Sequence, residues 1–266
     1  MLKFDDVGEV HRMKMGRELN GKVLYWVTSW LVDGLIYDTG CSYTVAELVE
    51  HLRGRGAKVA VNSHHHEDHI GANRRLQQEL GVEVYAHALA APLIKQKPKL
   101  LPYQELVWGY PDPSEVKVIG DSLEVGGHTY QVIETPGHCP GHIVLFEEKA
   151  GRMFVGDLFV TETPRAIRPN ENVGTLIKDL RKLAAMGQGN LTLFTALGDV
   201  FEEGRGSLLR GAAYLEEIVD KSKVLQSQGL NAEQIRDHIF KRESALAGFT
   251  NGDFSIMNLI ESALKA

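Results

Sequence analysis

The run His64-His65-His66-Glu67-Asp68-His69 puts four imidazoles and two carboxylates in six consecutive positions. Neutral imidazole and carboxylate are the ligands that borderline-soft divalent metals such as zinc prefer. The flanking residues fix where such a run can sit. Residues 57–61, Ala-Lys-Val-Ala-Val, are β-prone, so Asn62-Ser63-His64 begins where a strand ends. Ile70-Gly71-Ala72-Asn73 leads into residues 74–80, which have helical apolar spacing and stop at Gly81. The cluster therefore occupies a strand-to-helix loop, the position where α/β proteins put their chemistry. A purification tag would be terminal and uninterrupted, whereas this run is internal and mixed.

The rest of the chain bounds the setting. Its 266 residues suit one large domain, or one domain with a small appendage. A hydrophobic content of 43% can fill a substantial core. The net charge of −6 argues against a protein built to coat nucleic acid. The acidic start, Met1-Leu2-Lys3-Phe4-Asp5-Asp6, lacks the basic-then-apolar order of a signal peptide. The most apolar stretch, residues 23–36, is interrupted by Asp33-Gly34 and is too short and polar to span a membrane. Two cysteines do not make a disulfide framework, and a reducing cytoplasm is the expected location.

Strand patterns fill the first third. Residues 10–18 and 23–31, separated by Leu19-Asn20-Gly21, are expected to form a hairpin. Residues 35–37 run into Asp38-Thr39-Gly40, and residues 43–53 have helical periodicity up to Gly54. After the histidine loop come a strand at 82–86 and a short helix near 89–94. Residues 97–113 hold four of the nine prolines together with Trp108 and Tyr110, the composition of a rigid connector or of a lid over a pocket. Further strands are expected at 116–119, 122–125, 130–134, 143–146, 152–155 and 191–196, with a helix at 175–186. Beyond Gly206 the pattern is helical to the end. One helix there is predicted to start at Asn231, with Gln234 completing a capping box.

One histidine loop does not close a catalytic metal site alone, so further ligands are expected at other strand ends. Pro136-Gly137-His138 follows the strand at 130–134, and Gly156-Asp157 follows the strand at 152–155. Together with Asp38-Thr39-Gly40 and the H-x-H-x-D-H pattern of His64, His66, Asp68 and His69, these motifs make the chain resemble the metallo-β-lactamase superfamily of hydrolases. The resemblance covers roughly residues 10–200. It implies an α/β fold, a four-layer αββα sandwich, with the metal site at one edge and a C-terminal helical extension. The expected division is 1–204 for the catalytic domain and 205–266 for the extension, packed on it as a cap or as a homodimer interface. The resemblance also implies that His64, His66 and His138 hold a first metal and that Asp68 and His69 hold a second. Asp157 would bridge the two, and Asp38 would orient a ligand loop from behind. His65 and Glu67 fall at variable positions, facing solvent or supporting the ligands, and His142 is out of register for a ligand.

Two metals sharing a hydroxide need no Ser or Cys nucleophile, and Asp68 can orient that hydroxide and take up a proton. The implied activity is metal-dependent hydrolysis of a small ester-like substrate: a thioester, lactone or related acyl compound. The implied cofactor is a divalent metal, zinc first, with iron or manganese as alternatives. Small molecules are the expected partners, with no nucleic acid and no membrane. The chain departs from the pattern at one point. The superfamily usually supplies another histidine after the last core strand, and here the stretch reads Phe194-Thr195-Ala196-Leu197-Gly198-Asp199. Leu197 stands where the histidine is usual, and Asp199 is the nearest carboxylate. The second metal is therefore expected to be weakly bound, differently liganded or absent. That departure keeps a non-hydrolytic iron or manganese protein as the alternative, and a small-molecule phosphodiesterase as a third. Arg165 and Arg168 are either clamps for an anionic substrate group or solvated loop arginines.

Overall fold

Residues 27–32, 35–37, 143–147 and 152–156 are buried along their whole length, the pattern of central strands covered on both faces, and they lie at the middle of two β-sheets. The computed structural model describes residues 1–266. The first half contains β1 (Leu2–Val7), β2 (Val10–Met15), β3 (Glu18–Leu19), β4 (Lys22–Val23), β5 (Val27–Val32), β6 (Leu35–Tyr37), β7 (Val59–Val61), β8 (Glu83–Ala86) and β9 (Lys117–Val118). Seven of them form one sheet in the order β1-β2-β5-β6-β7-β8-β9, with β3 and β4 apart as a small ribbon. From β6 onward the pairing is parallel. Parallel pairing needs crossover connections, supplied by α1 (Val45–Leu52), α2 (Asn73–Leu80), α3 (Ala91–Ile94) and α4 (Pro102–Val107).

The second sheet runs in sequence order through β10 (Ser122–Val125), β11 (His128–Glu134), β12 (Ile143–Glu147), β13 (Arg152–Gly156), β14 (Thr192–Thr195) and β15 (Val200–Phe201). It is antiparallel except at β13 and β14, where α5 (Val173–Ala184) makes the crossover. The chain ends in α6 (Gly204–Ser227), α7 (Ala232–Phe240), α8 (Ala245–Phe249) and α9 (Ile256–Ala263).

Three apolar clusters define four layers. Leu48, Leu52 and Leu76 of α1 and α2 pack on Met13, Ile36 and Val84 on the outer face of the first sheet. Trp30, Tyr37 and Val61 meet Tyr130, Leu145 and Phe154 between the sheets. Leu176, Leu180 and Leu208 cover Val144, Met153 and Leu193 on the outer face of the second sheet. Within the sandwich, Trp30 Nε1 donates to the Thr195 carbonyl at 3.0 Å and Tyr37 Oη donates to the Ile143 carbonyl at 2.8 Å. Burying these polar atoms is thus matched by hydrogen bonds. The architecture is the expected αββα sandwich with C-terminal helices.

Details differ from the sequence reading. The hairpin over residues 10–31 forms as the antiparallel pair β2 and β5. Its tip separates, however: Asn20 and Gly21 adopt φ of 52° and 75° and close the β3–β4 ribbon. Strand β1 escapes the reading because its residues are mostly exposed and show no apolar alternation. Helix α8 is five residues long, too short for a period to register. The proline-rich segment 97–113 contains α4, with Pro102 at its first turn, where the missing N–H costs nothing.

The topology brings four loops to one edge: those after β6, β7, β11 and β13. The close approach there depends on Gly71, just past the histidine run. A Cβ at Gly71 would stand 2.6 Å from the Gly40 carbonyl oxygen and 2.7 Å from the Ser42 nitrogen, both backbone atoms that cannot yield.

Candidate metal centre

The His64–His69 loop leaves β7 as a series of tight turns. Asn62 Nδ2 and Thr39 N both donate to the His69 carbonyl, at 3.0 and 2.8 Å. His69 N donates back to the His66 carbonyl. Every side chain of the loop except His65 is buried. His64 Nε2 lies 2.7 Å from His66 Nδ1, and His138 Nε2 lies 3.2 Å from the same atom. Three imidazole nitrogens therefore converge on one point. All three residues are buried. Burial and the neighbouring imidazoles hold the His64 pKa well below its usual value, and burial with the Arg168 charge does the same for His66. Neutral rings presenting lone pairs to one another repel unless a cation lies between them.

Beside this point lies a carboxylate-rich one. Asp157 Oδ2 is 3.4 Å from His69 Nε2, 3.7 Å from His138 Nε2 and 4.0 Å from His64 Nε2. Asp68 Oδ2 is 3.7 Å from His69 Nε2. Asp157 thus stands between the three-histidine group and the Asp68–His69 pair. Burial opposes charge on His69, but the carboxylates of Asp38, Asp157 and Asp68 outweigh it and hold the pKa well above the usual value. Burial pushes the Asp68 carboxyl up, with the Asp157 charge adding to the effect.

The supporting bonds select tautomers. Asp38, buried and at φ 60°, accepts Ser63 N–H at 2.7 Å, the Ser63 hydroxyl at 2.8 Å and His69 Nδ1–H at 2.8 Å. Because the Ser63 hydroxyl donates to Asp38, its oxygen accepts from His64 Nδ1–H at 2.9 Å. In the neutral form that a cation would bind, both rings turn their Nε2 lone pairs to the site, the arrangement that carboxylate-backed metal ligands use. The second side of the site is tied down as well. Asp179 accepts Gly137 N–H at 2.8 Å and fixes the loop that carries His138. His142 shares a 2.8 Å hydrogen bond with Thr135 Oγ1 behind His64.

A divalent cation fits this donor set. His69 Nε2 and Asp68 Oδ1 are buried without any hydrogen-bond partner, a condition that costs stability unless a ligand satisfies it. The groups His64, His66, His138 with Cys139, and His64, His69 with Asp157, each bring their ligand atoms within 4.8 Å of one another. All six residues expected as ligands are thus brought together, with Asp38 behind them.

The structure decides between alternatives that the sequence left open for several neighbours. Glu67 does not face solvent. It is buried and paired with Arg168 at 3.5 Å, while His65 is half-buried. Arg168 is likewise no solvated loop arginine, with only 6% of its surface exposed, whereas Arg165 is exposed and lies over Phe240. Leu197 lines the cavity at the site. Asp199 is exposed at the turn before β15 and is not among the residues that line the cavity, so it does not take the place of the usual histidine. Trp108 forms part of the cavity wall, with Tyr25 edge-on at 5.7 Å, whereas Tyr110 sits under Lys97. Both cysteines are free and buried, and Cys139 lies at the first metal point with its thiol pushed up to about 12, mainly by burial. The sequence reading missed Glu171, whose Oε2 is 3.2 Å from His138 Nδ1. No local motif marks it; only its place in the loop after Asp157 gives a signal.

Comparison with known proteins agrees with this geometry. Residues 27–191 match the family model of the metallo-beta-lactamase superfamily. The hydroxyacylglutathione hydrolase GloC of Haemophilus influenzae is 31% identical over 131 residues, covering 47% of this chain and 60% of that protein. A hydroxyacylglutathione hydrolase of Rhizobium etli is 28% identical over 163 residues, covering 52% of this chain and 57% of that protein. The chain thus spans less than two thirds of the length of these relatives. Among solved structures, a beta-lactamase domain protein from Burkholderia ambifaria superposes with a TM-score of 0.73 at 18% identity, covering 98% of this chain and 85% of that one. A metallo-beta-lactamase family protein from Thermus thermophilus gives 0.67 at 18% identity, covering 97% and 92%. With the motifs in order at one sandwich edge and the family model matched over more than half its length, the chain belongs to the metallo-beta-lactamase superfamily.

Proposed function

We propose that the protein is a metal-dependent hydrolase of small acyl compounds, with thioesters as the leading substrate class and zinc as the leading metal. The observation that carries this reading is the convergence of His64, His66, His138, His69, Asp68 and Asp157 at the floor of an open cavity. Its similarity to hydroxyacylglutathione hydrolases supports the thioester class. A bound divalent cation supplies a water activated at neutral pH and a Lewis acid for the acyl oxygen. In this reading His64, His66 and His138 hold the first ion, and His69, Asp68 and Asp157 face a second.

The chain's own groups do the rest. Asp38 and Ser63 keep the His64 and His69 tautomers that aim Nε2 inward. Asp68 Oδ1, buried and without a hydrogen-bond partner, is the acceptor for the proton released as water adds to the acyl carbon. The carbon–sulfur bond then breaks, and the proton passes from Asp68 to the departing thiolate, so that one water yields one acid and one thiol. Trp108 and Tyr25 wall the site and limit the water that reaches it.

The test combines metal analysis with turnover. Protein purified without added metal is expected to carry zinc, to hydrolyse simple thioesters, to lose activity on chelation and to regain it with zinc. His64→Ala is expected to lose most of its metal and at least 100-fold in kcat/KM. Unchanged metal content in that variant would remove His64 from the ligand set. Iron or manganese with an optical change on oxidation and no hydrolysis would favour the non-hydrolytic reading instead.

A further inference from the structure

The site opens into a cavity of about 380 Å³ whose walls change character with depth. Near the metal centre they carry Asp68, His138 and Asp157. The rest of the lining is largely apolar: Phe159 and Leu180 from the sandwich side, and Leu215 of α6, Leu246 and Phe249 of α8 and Phe254 of the α8–α9 connection from the C-terminal part. Leu246 and Phe249 are 46% and 52% exposed, so α8 presents an apolar rim that stays open to solvent. An acetyl-sized group would leave most of this apolar lining uncovered, and a chain of methylenes would cover it.

Arg168 stands between the two regions, and its guanidinium is the only cationic side chain of an Arg or Lys on the wall. It is buried and packed near the rings of Trp108 and Phe254 at 5.9 and 5.2 Å. Its bond to Glu67 is long, at 3.5 Å, and its Nε has no partner. A buried guanidinium with unused donors is costly unless an oxygen is supplied to it.

We propose that the substrate's acyl group is a medium-length, unbranched apolar chain. It lies along α4, α5, α6 and α8 with its carbonyl carbon at the metal centre. Arg168 donates to a substrate oxygen and positions it at the boundary. The thiols that carry acyl groups in cells are polar and bulky, so the leaving arm belongs on the solvent side and the acyl arm in the apolar cavity. This inference rests on the hydrolase reading above, and its test separates the two.

Two measurements decide it. The first is kcat/KM for a series of N-acetylcysteamine thioesters from acetyl to decanoyl. Each methylene buried should raise it about three- to fourfold until the cavity is full, the equivalent of about 0.8 kcal/mol per methylene. The second needs no turnover. Titration with sodium decanoate should change the fluorescence of Trp108, a cavity-wall residue, at concentrations at least 100-fold below any acetate response. Trp108→Phe identifies the signal. Leu246→Asp, at an exposed rim position where the fold tolerates charge, should lower the decanoyl-to-acetyl ratio at least tenfold. A flat chain-length profile, or decanoate and acetate responses at equal concentration, overturns the inference even if thioesters are turned over. Decanoate binding without hydrolysis of any thioester sustains the apolar-acid site and overturns the hydrolase reading.

Discussion

Under the proposed two-metal reading, one side chain, Leu197, stands where the superfamily usually places a further ligand histidine. It lines the cavity, whereas Asp199 is exposed and outside the cavity lining. Asp68, His69 and Asp157 are therefore left with one ligand fewer than the superfamily usually offers them. Leu197→His is expected to tighten the second ion at least tenfold, read by calorimetric titration of the metal-free protein. The first ion should change little, because His64, His66 and His138 do not depend on this position. If the parent already binds two equivalents with equal affinity, Leu197 imposes no deficit. The residues that converge at the site stand out in the sequence because imidazoles and carboxylates at fixed spacing are rare and chemically specific. Glu171 and the Glu67–Arg168 pair do not, whereas Trp108 takes the wall role that its place in the proline-rich segment allowed. The first two depend on contacts between segments far apart in the chain, as with Glu67 and Arg168, 101 residues apart.

At the level of elements, the sequence revealed those whose period matched their burial. Helix α2 stops at Gly81 with φ 69°, and α7 starts at the Asn231–Gln234 capping box, both as the residues dictate. Strand β1 and the separated tip of the β2–β5 hairpin were hidden because their residues are largely exposed. One link between the sheets was hidden for a different reason: it joins the β5–β6 turn to the start of β11. His128 shares 2.7 Å hydrogen bonds with Asp33 across the sandwich edge and with Glu147 on β12, while Arg152 stands 3.2 Å away. The bonds to Asp33 and Glu147 raise the His128 pKa, against burial and the Arg152 charge. A histidine whose folded pKa exceeds the unfolded value of about 6.5 stabilises the fold fully below that value. The contribution is lost as pH rises through the higher folded pKa. His128→Gln should therefore lower Tm by more at pH 6 than at pH 9. A difference in Tm that is independent of pH would mean that the ring acts by packing alone.

Over the whole molecule, the C-terminal helices belong to the same core as the second sheet. Leu208, Ala212 and Leu215 of α6, Ile235 of α7 and Leu259 of α9 join Leu176, Leu180, Val155 and Leu193 in one buried cluster. Tyr103 of α4 reaches Asp253 between α8 and α9, so the same helices are also tied to the metal edge of the first half. No helix is long and apolar enough to cross a membrane, and the apolar face of α6 is turned to this core. A core shared in this way should unfold as a unit. Leu208 is fully buried in it and lies away from the cavity lining. Leu208→Ala should cost about 2–5 kcal/mol, as emptying a tight apolar site does. The decisive observable is where that loss appears. Hydrogen exchange should speed up in β13 and β14 as much as in α6, because removing one wall of the cluster weakens both sides of it. If residues 205–266 were instead a separable attachment, faster exchange would be confined to α6–α9. A chain ending at Gly204 would then stay soluble, monomeric and fully active. With a shared core, that shortened chain exposes Leu176, Leu180 and Leu193, and is expected to aggregate and to bind hydrophobic dyes.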